Sequence, residues 1–244
     1  MRIDLNADVG EGYDDRALMP FLTSVNVACG GHAGDARTMA ATVEMALFRG
    51  IAVGAHPSYP DREHFGRREL ALSAEEIEVA VRSQVSALAA ITAEVGAELV
   101  HVKPHGALYN VAAGDWMTAR AIARAVRALD QQLRLVGLAG SKLLAAAAEV
   151  GLVAAGEAFA DRRYAPDGSL VPRSRAGALI EDPAEAAEQA LRIVRDGEVA
   201  AGGGAWVGVH AQTLCLHGDT PGAAAIARAV HERLRAAGVD IRAL

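Results

Sequence analysis

Apolar positions along the chain alternate between two regimes. Short runs rich in β-branched and aliphatic residues predict strands at 2–6 (RIDLN), 24–30 (SVNVACG), 51–56 (IAVGAH), 98–103 (ELVHVK), 133–140 (LRLVGLAG) and 152–159 (LVAAGEAF). A seventh is expected within 205–218, in its TLCLH portion. Helices fill the intervals. Asp35 caps ARTMAATVEMALFRG, which stops at Gly50, and Ser73 with Glu76 forms a capping box for a long helix ending near Gly96. Asp115 caps a helix from Trp116 to Leu129, and Gly151 terminates SKLLAAAAEVG. Asp182-Pro183 starts another helix, with Glu185 completing a second box, and Pro221 starts the last.

Strands alternating with helices imply a parallel sheet. Seven such units without a long linker fit an α/β fold, a closed (β/α) barrel of about seven parallel strands, formed by a single catalytic domain over 1–244. Eight-unit barrels average about 250 residues, so the barrel is expected to be one strand short, with VDI near the C-terminus as a rudimentary eighth. The loosest stretches, 57–72 and 160–181, have the length of loops that cover a site.

Composition narrows the function. Hydrophobic residues make up 52% and charged residues 22%, enough for a large core, and aromatics at 4% leave that core to Ala, Val, Leu and Ile. A net charge of -6 argues against nucleic acid and anionic membrane surfaces as partners. Cys29 and Cys215 form no disulfide framework or Cys-x-x-Cys pair and read as reduced, buried thiols. The start MRIDLNADVGEG has no signal-peptide pattern, and no run of about 18 apolar residues occurs, so a cytoplasmic location is expected.

Candidate chemistry collects at the C-terminal ends of the predicted strands, where parallel barrels place their functional groups. Strand one leads to Asn6, Asp8 and Glu11, and strand two to Cys29, His32 and Asp35. Strand three leads to His56, Ser58, Tyr59 and Asp61, and strand four to Lys103, His105, Tyr109 and Asn110. Strand six leads to Glu157, Asp161 and Arg162, and strand seven to His217 and Asp219. In HVKPHGALYN, His101, Lys103 and His105 share parity and would line one face, Pro104 ends the strand, and Gly106 permits a close turn into a short helix.

Plainer roles exist for several of these groups. His101 inside a strand suits a satisfied core histidine, Lys103 could simply pair with a carboxylate, and the arginines of LVPRSR and PDREHFGRRE could bind an anion or be solvated. No P-loop and no G-x-S-x-G elbow is present. Asp8, His32 and His56 are metal-ligand types at neighbouring strand ends but make no sequence-local ligand motif.

The blocks DLNADVGEG, NVACGGHAGD, GAHPSYPDREHFGRREL, HVKPHGALYN, EAFADRRY and LCLHGDTPGA, in this order from residue 4 to about residue 223, resemble the LamB/YcsF family. The resemblance implies a deformed barrel related to glycoside hydrolase and deacetylase barrels. It also implies the A component of a three-component, ATP-dependent 5-oxoprolinase with partner subunits B and C, opening 5-oxo-L-proline to L-glutamate. A five-membered lactam is a stable amide, and phosphorylating its oxygen with ATP, as the magnesium complex, makes the ring carbon electrophilic. Such a site needs a base for water, a cation for the oxyanion or phosphate, and an acid for the leaving nitrogen. The chemistry assigns Asp8 or Glu11 as base, Lys103 as cation and His105 as acid, with His32 or His56 in reserve. Asn6, Tyr109 and Asn110 are candidates for binding the amide and carboxylate. No tightly bound metal is expected. The alternative is a metal-dependent deacetylase of N-acetyl sugars, with Asp8, His32 and His56 as ligands.

Overall fold

The parallel sheet implied by the strand–helix alternation is present in the computed structural model, which describes residues 1–220 and 222–244. In chain order the elements are β1 (Arg2–Val9), α1 (Asp15–Leu18), β2 (Ser24–Ala28), α2 (Ala36–Phe48), β3 (Ala52–His56), α3 (Ala74–Glu94), β4 (Leu99–Val102) and α4 (Gly106–Gly114). There follow α5 (Trp116–Leu129), β5 (Arg134–Leu138), α6 (Lys142–Glu149), β6 (Ala154–Phe159), α7 (Pro183–Asp196), β7 (Glu198–Ala200), β8 (Trp206–Gly208), β9 (Thr213–Leu216), α8 (Ala223–Ala236) and β10 (Asp240–Ile241). The strand order is β10-β1-β2-β3-β4-β5-β6-β9, and an additional β1–β9 pairing closes β1–β6 and β9 into a seven-stranded barrel. Arg2 and Ile3 pair with Asp240 and Ile241, so VDI does supply a short strand, and Asp4 to Ala7 pair with Thr213 to Leu216.

Local signals account for most boundaries. The Asp35 side chain accepts from Thr38 N–H, Asp115 from Thr118 N–H, and Ser73 and Glu76 form the reciprocal capping box. The second box does not form: Asp182 accepts from Ala184 N–H, while the Glu185 carboxylate turns to Arg163. The stretch 205–218 divides: Trp206–Gly208 pairs antiparallel with β7 across Gly203 and Gly204, and only Thr213–Leu216 joins the barrel. Pro221 lies outside the described residues, and α8 begins at Ala223. Among the described residues, no helix is long and apolar enough to cross a membrane.

Two compact units are distinguished, and each has its own core. The first comprises Met1–Ala7, Asp14–Thr23 and Glu157–Leu244. Here α7 packs on α8, burying Leu191, Ile193, Ile226, Val230 and Leu234. The loop 160–181 is tied down by bridges between Arg162 and Leu179 and between Tyr164 and Leu170. Gln189 adds to this by donating to the carbonyls of Phe159, Ala160 and Arg162.

The second unit comprises Asp8–Tyr13 and Ser24–Gly156. In it α3 packs on α5 and α5 on α6, and Ile77, Val81, Val85 and Leu88 form the buried face of α3. Each such side chain contributes about 1.5–3 kcal/mol on burial. Strand β2 is buried at every position, so its one amide side chain, Asn26, has to find partners inside the protein.

Candidate active site

The second unit gathers Asp8, Glu11, His32, His56, Lys103 and His105 into one bonded group. Asp8 lies near the end of β1, and its Oδ1 accepts from Lys103 Nζ at 3.0 Å and from Asn26 Nδ2 at 2.9 Å. Asn26 Oδ1 in turn accepts from His101 Nε2 at 2.7 Å. The stripe His101, Lys103, His105 therefore does converge. His101 is its structural member: burial, then the charges of Lys103 and His56, lower its pKa to about 3. Gly54 makes room for it, because a Cβ there would collide with the His101 ring.

Hydrogen bonding to the backbone fixes the tautomers of the two central rings. His56, the last residue of β3, donates from Nδ1 to the Lys103 carbonyl at 2.7 Å. His105, at the N-cap of α4, donates from Nε2 to the Phe65 carbonyl at 2.9 Å. Their remaining nitrogens, His56 Nε2 and His105 Nδ1, face each other at 3.0 Å. Two neutral rings would present two lone pairs across this contact, so a proton belongs between them. Burial disfavours charge on His56, but the Asp8 carboxylate, 3.2 Å from Nε2, outweighs it and raises the His56 pKa. Burial, followed by the charges of His56 and His32, holds His105 well below its ordinary value. Of the two rings, His56 is therefore the one whose surroundings favour a proton. Asp8 and Glu11 thus stand opposite His56 and Lys103.

Glu11 Oε1 lies 2.7 Å from His32 Nε2, 3.3 Å from His105 Nδ1 and 3.9 Å from His56 Nε2. The His32 ring stacks on His105 with centroids 3.6 Å apart and planes 2° from parallel, and Phe65 sets its edge against both. Burial lowers the His32 pKa, and Glu11 offsets only part of that. Glu11, His32, His56 and His105 each bring a ligand-type atom within 4.8 Å of the others. That set differs from the expected trio by exchanging Asp8 for Glu11 and His105. It has one property of a divalent-metal site: His56 and His105 each donate their outer N–H to a carbonyl.

Tyr109 is buried and Asn110 exposed on α4. Asn6 belongs to the first unit, where its Nδ2 donates to Glu157 Oε1 at 3.0 Å and to Thr213 Oγ1 at 2.6 Å. Cys29 is buried and its thiol is pushed up to about 12, as suits an inert core cysteine.

Sequence reasoning missed three supporting residues. Asn26 left a signal, an amide within an otherwise apolar strand. Gln84 and Phe65 left none. Gln84, on α3, clasps Ser58 by accepting from its N–H and donating to its carbonyl, and it fills the space that a Cβ on Gly31 would need. Phe65 has φ 56°, the one non-glycine residue with positive φ among those described, and its carbonyl is the one that orients His105.

A closed parallel barrel with a buried group of carboxylates, histidines and a lysine at its strand ends defines an α/β-barrel protein with a polar group gathered at those ends. The LamB/YcsF family pattern matches residues 3–244, and the chain belongs to that family. It is 54% identical over 248 residues to the A subunit of a 5-oxoprolinase from Methylococcus capsulatus, covering 99% of this chain and 95% of the relative. The corresponding 5-oxoprolinase subunit of Chloroflexus aggregans is also 54% identical, with 99% and 98% covered. The crystal structure of a lactam utilization protein from Thermus thermophilus superposes with a TM-score of 0.94 at 48% identity, over 100% of both chains. A T48 deacetylase shares the fold, at TM-score 0.53 and 14% identity over 98% of this chain and 86% of that one.

His101 makes the second unit acid-sensitive. Its folded pKa, about 3, lies below the ordinary 6.5. Its contribution to stability is therefore complete above pH 6.5 and is lost as pH falls from 6.5 towards 3, because the unfolded chain then binds a proton that the folded one refuses. The slope is at most about 1.4 kcal/mol per pH unit for this group. Urea unfolding between about pH 7 and pH 4 should show a shallower loss for His101→Gln than for the natural chain, and an unchanged slope would remove His101 as a cause.

Proposed function

We propose that this chain is the A subunit of an ATP-dependent 5-oxoprolinase, acting in the cytoplasm on 5-oxo-L-proline to give L-glutamate. The full-length identity to relatives bearing that name supports the reaction. The observation that carries the chemical part is the 3.0 Å approach of His56 Nε2 to His105 Nδ1 beside Asp8, Glu11 and Lys103. The group contains the base, cation and acid that lactam opening requires.

In this reading ATP, as its magnesium complex, phosphorylates the lactam oxygen with the help of partner subunits B and C. Asp8 or Glu11 takes a proton from water as it adds to the ring carbon, and Lys103 offsets the negative charge that develops. The carbon–nitrogen bond breaks as the nitrogen gains the one proton held between His56 Nε2 and His105 Nδ1, which His105 delivers from Nδ1 while its Nε2–H stays on the Phe65 carbonyl. The resulting acyl phosphate is hydrolysed by a second water to glutamate and inorganic phosphate. Burial keeps His105 neutral at rest, so it becomes an acid only when the proton crosses from His56. Tyr109 and Asn110 remain candidates for holding the substrate amide and carboxylate, with His32 aligning Glu11.

A metal-dependent amide hydrolase, such as a deacetylase of N-acetyl sugars, is the second reading. The convergence of Glu11, His32, His56 and His105 favours it. A divalent ion held there would supply an activated water. The first reading requires no tightly bound metal. Elemental analysis of the purified chain should then find no stoichiometric transition metal, and turnover should survive chelator treatment once Mg-ATP is restored. Stoichiometric zinc whose removal abolishes turnover would establish the second reading instead.

The division of labour is tested by assaying the chain alone, the partners alone and the mixture, following glutamate and ADP. Only the mixture is expected to make glutamate, and His105→Ala in it should lower kcat by about 100-fold or more with little change in fold. Glutamate formation by this chain alone at the rate of the mixture would contradict the division. An active His105→Ala with an unchanged pH profile would remove His105 from the mechanism.

A further inference from the structure

The first unit holds a second set of charged groups that the proton-transfer site does not use. Asp161, 1% exposed, accepts from His217 Nδ1 at 2.8 and 3.0 Å and from the His217 backbone N–H at 3.0 Å. Phe159 stacks on the His217 ring, with centroids 5.4 Å apart and planes 14° from parallel. Arg173 pairs with Asp219 at 2.6 Å. Each carboxylate of this set already has a cationic or potentially cationic partner.

Arg162 does not fit that pairing. It is 7% exposed, and its Nη2 donates to the Val171 carbonyl at 2.7 Å. Its Nε is buried with no partner, and among the described residues no carboxylate bonds its guanidinium. Burial, then the charge of Arg173, pulls its pKa down, while Asp161 opposes this, so a like charge lies within electrostatic reach. A guanidinium does not shed its proton at neutral pH. A buried cation without a counter-ion is costly, and folded proteins keep one where something supplies the missing charge. Arg173, whose charge Arg162 feels, has 28% of its own side chain exposed.

We propose that Arg162 anchors an oxyanion-binding subsite in the first unit, taking a carboxylate or phosphoryl group on its unused Nε edge, with Arg173 as a second cation whose charge reaches it. The planar fork of a guanidinium matches two oxygens of either group. Which group it is depends on the 5-oxoprolinase reading: 5-oxo-L-proline carries a carboxylate, and its activated form carries a phosphoryl group as well. Binding of an oxyanion as such does not depend on that reading.

The test uses the full chain and titrates inorganic phosphate, 5-oxo-L-proline and 2-pyrrolidinone, the same lactam without a carboxylate, by calorimetry and thermal shift. Phosphate or 5-oxo-L-proline should bind and raise the melting temperature, and 2-pyrrolidinone should do neither. Arg162→Met should weaken the anion at least about 30-fold. Its melting temperature without anion should change little or rise, because the uncompensated charge leaves along with a single hydrogen bond. If Arg162→Met does not fold, Arg162→Lys decides, since it keeps the charge and loses the fork and should still weaken the anion. Absence of anion binding by the natural chain, or undiminished binding by the variants, overturns the subsite. Phosphate binding through Arg162 in a chain that neither binds nor, with its partners, turns over 5-oxo-L-proline would keep the subsite and refute the 5-oxoprolinase reading.

Discussion

The candidate active site depends on one contact, the 3.0 Å approach of His56 Nε2 to His105 Nδ1. Each ring has already committed its other nitrogen to a backbone carbonyl, so neither can rotate away from the other without stranding a buried donor. The contact holds together only if something positive sits between the two nitrogens. Asp8 determines which ring carries the proton, by standing 3.2 Å from His56. Lys103 and Asn26 in turn hold Asp8 in place, and His101 holds Asn26. The contact thus ties β1, β2, β3 and β4 to one electrostatic arrangement.

The backbone around this contact is shaped to permit it. Gly106 has φ 58°, and a Cβ there would meet the Gly66 carbonyl at 2.6 Å, so only glycine lets α4 start directly after His105 beside the loop 57–72. The Ala107 N–H then bonds that same carbonyl at 2.9 Å. One residue before Gly66, Phe65 accepts a left-handed conformation to aim its carbonyl at His105, a strain of about 1–3 kcal/mol that the surrounding bonds must offset. The loop 57–72 is therefore part of the site's framework.

Much of this could be read from the sequence because strand ends in a parallel barrel are predictable from punctuation. Asp8, Glu11, His32, His56, Lys103 and His105 all follow short apolar runs, and parity along 101–105 placed three chemical groups on one face. The second capping box failed because Glu185 had a competing arginine 22 residues away, a contact no local pattern reveals. The seventh barrel strand was legible in TLCLH, where Thr213–Leu216 lies, but the β7–β8 hairpin before it was not, because Glu198–Ala200 and Trp206–Gly208 are three-residue runs too short to signal pairing. The roles of Gln84 and Phe65 were invisible for a different reason. They act on the backbone of Ser58 and on His105 through geometry that exists only once the chain has folded. The unmatched charge of Arg162 was likewise hidden, since EAFADRRY shows an arginine beside an aspartate and only the structure shows that His217 has taken that aspartate.

The proton itself is the most direct point of test. Nitrogen-15 NMR of the histidine side chains, assigned through His56→Gln and His105→Gln, reports the protonation and tautomer of each ring. At neutral pH the account predicts His56 as an imidazolium and His105 as a neutral ring with its hydrogen on Nε2. Two neutral rings, or a charge on His105 with His56 neutral, would contradict it.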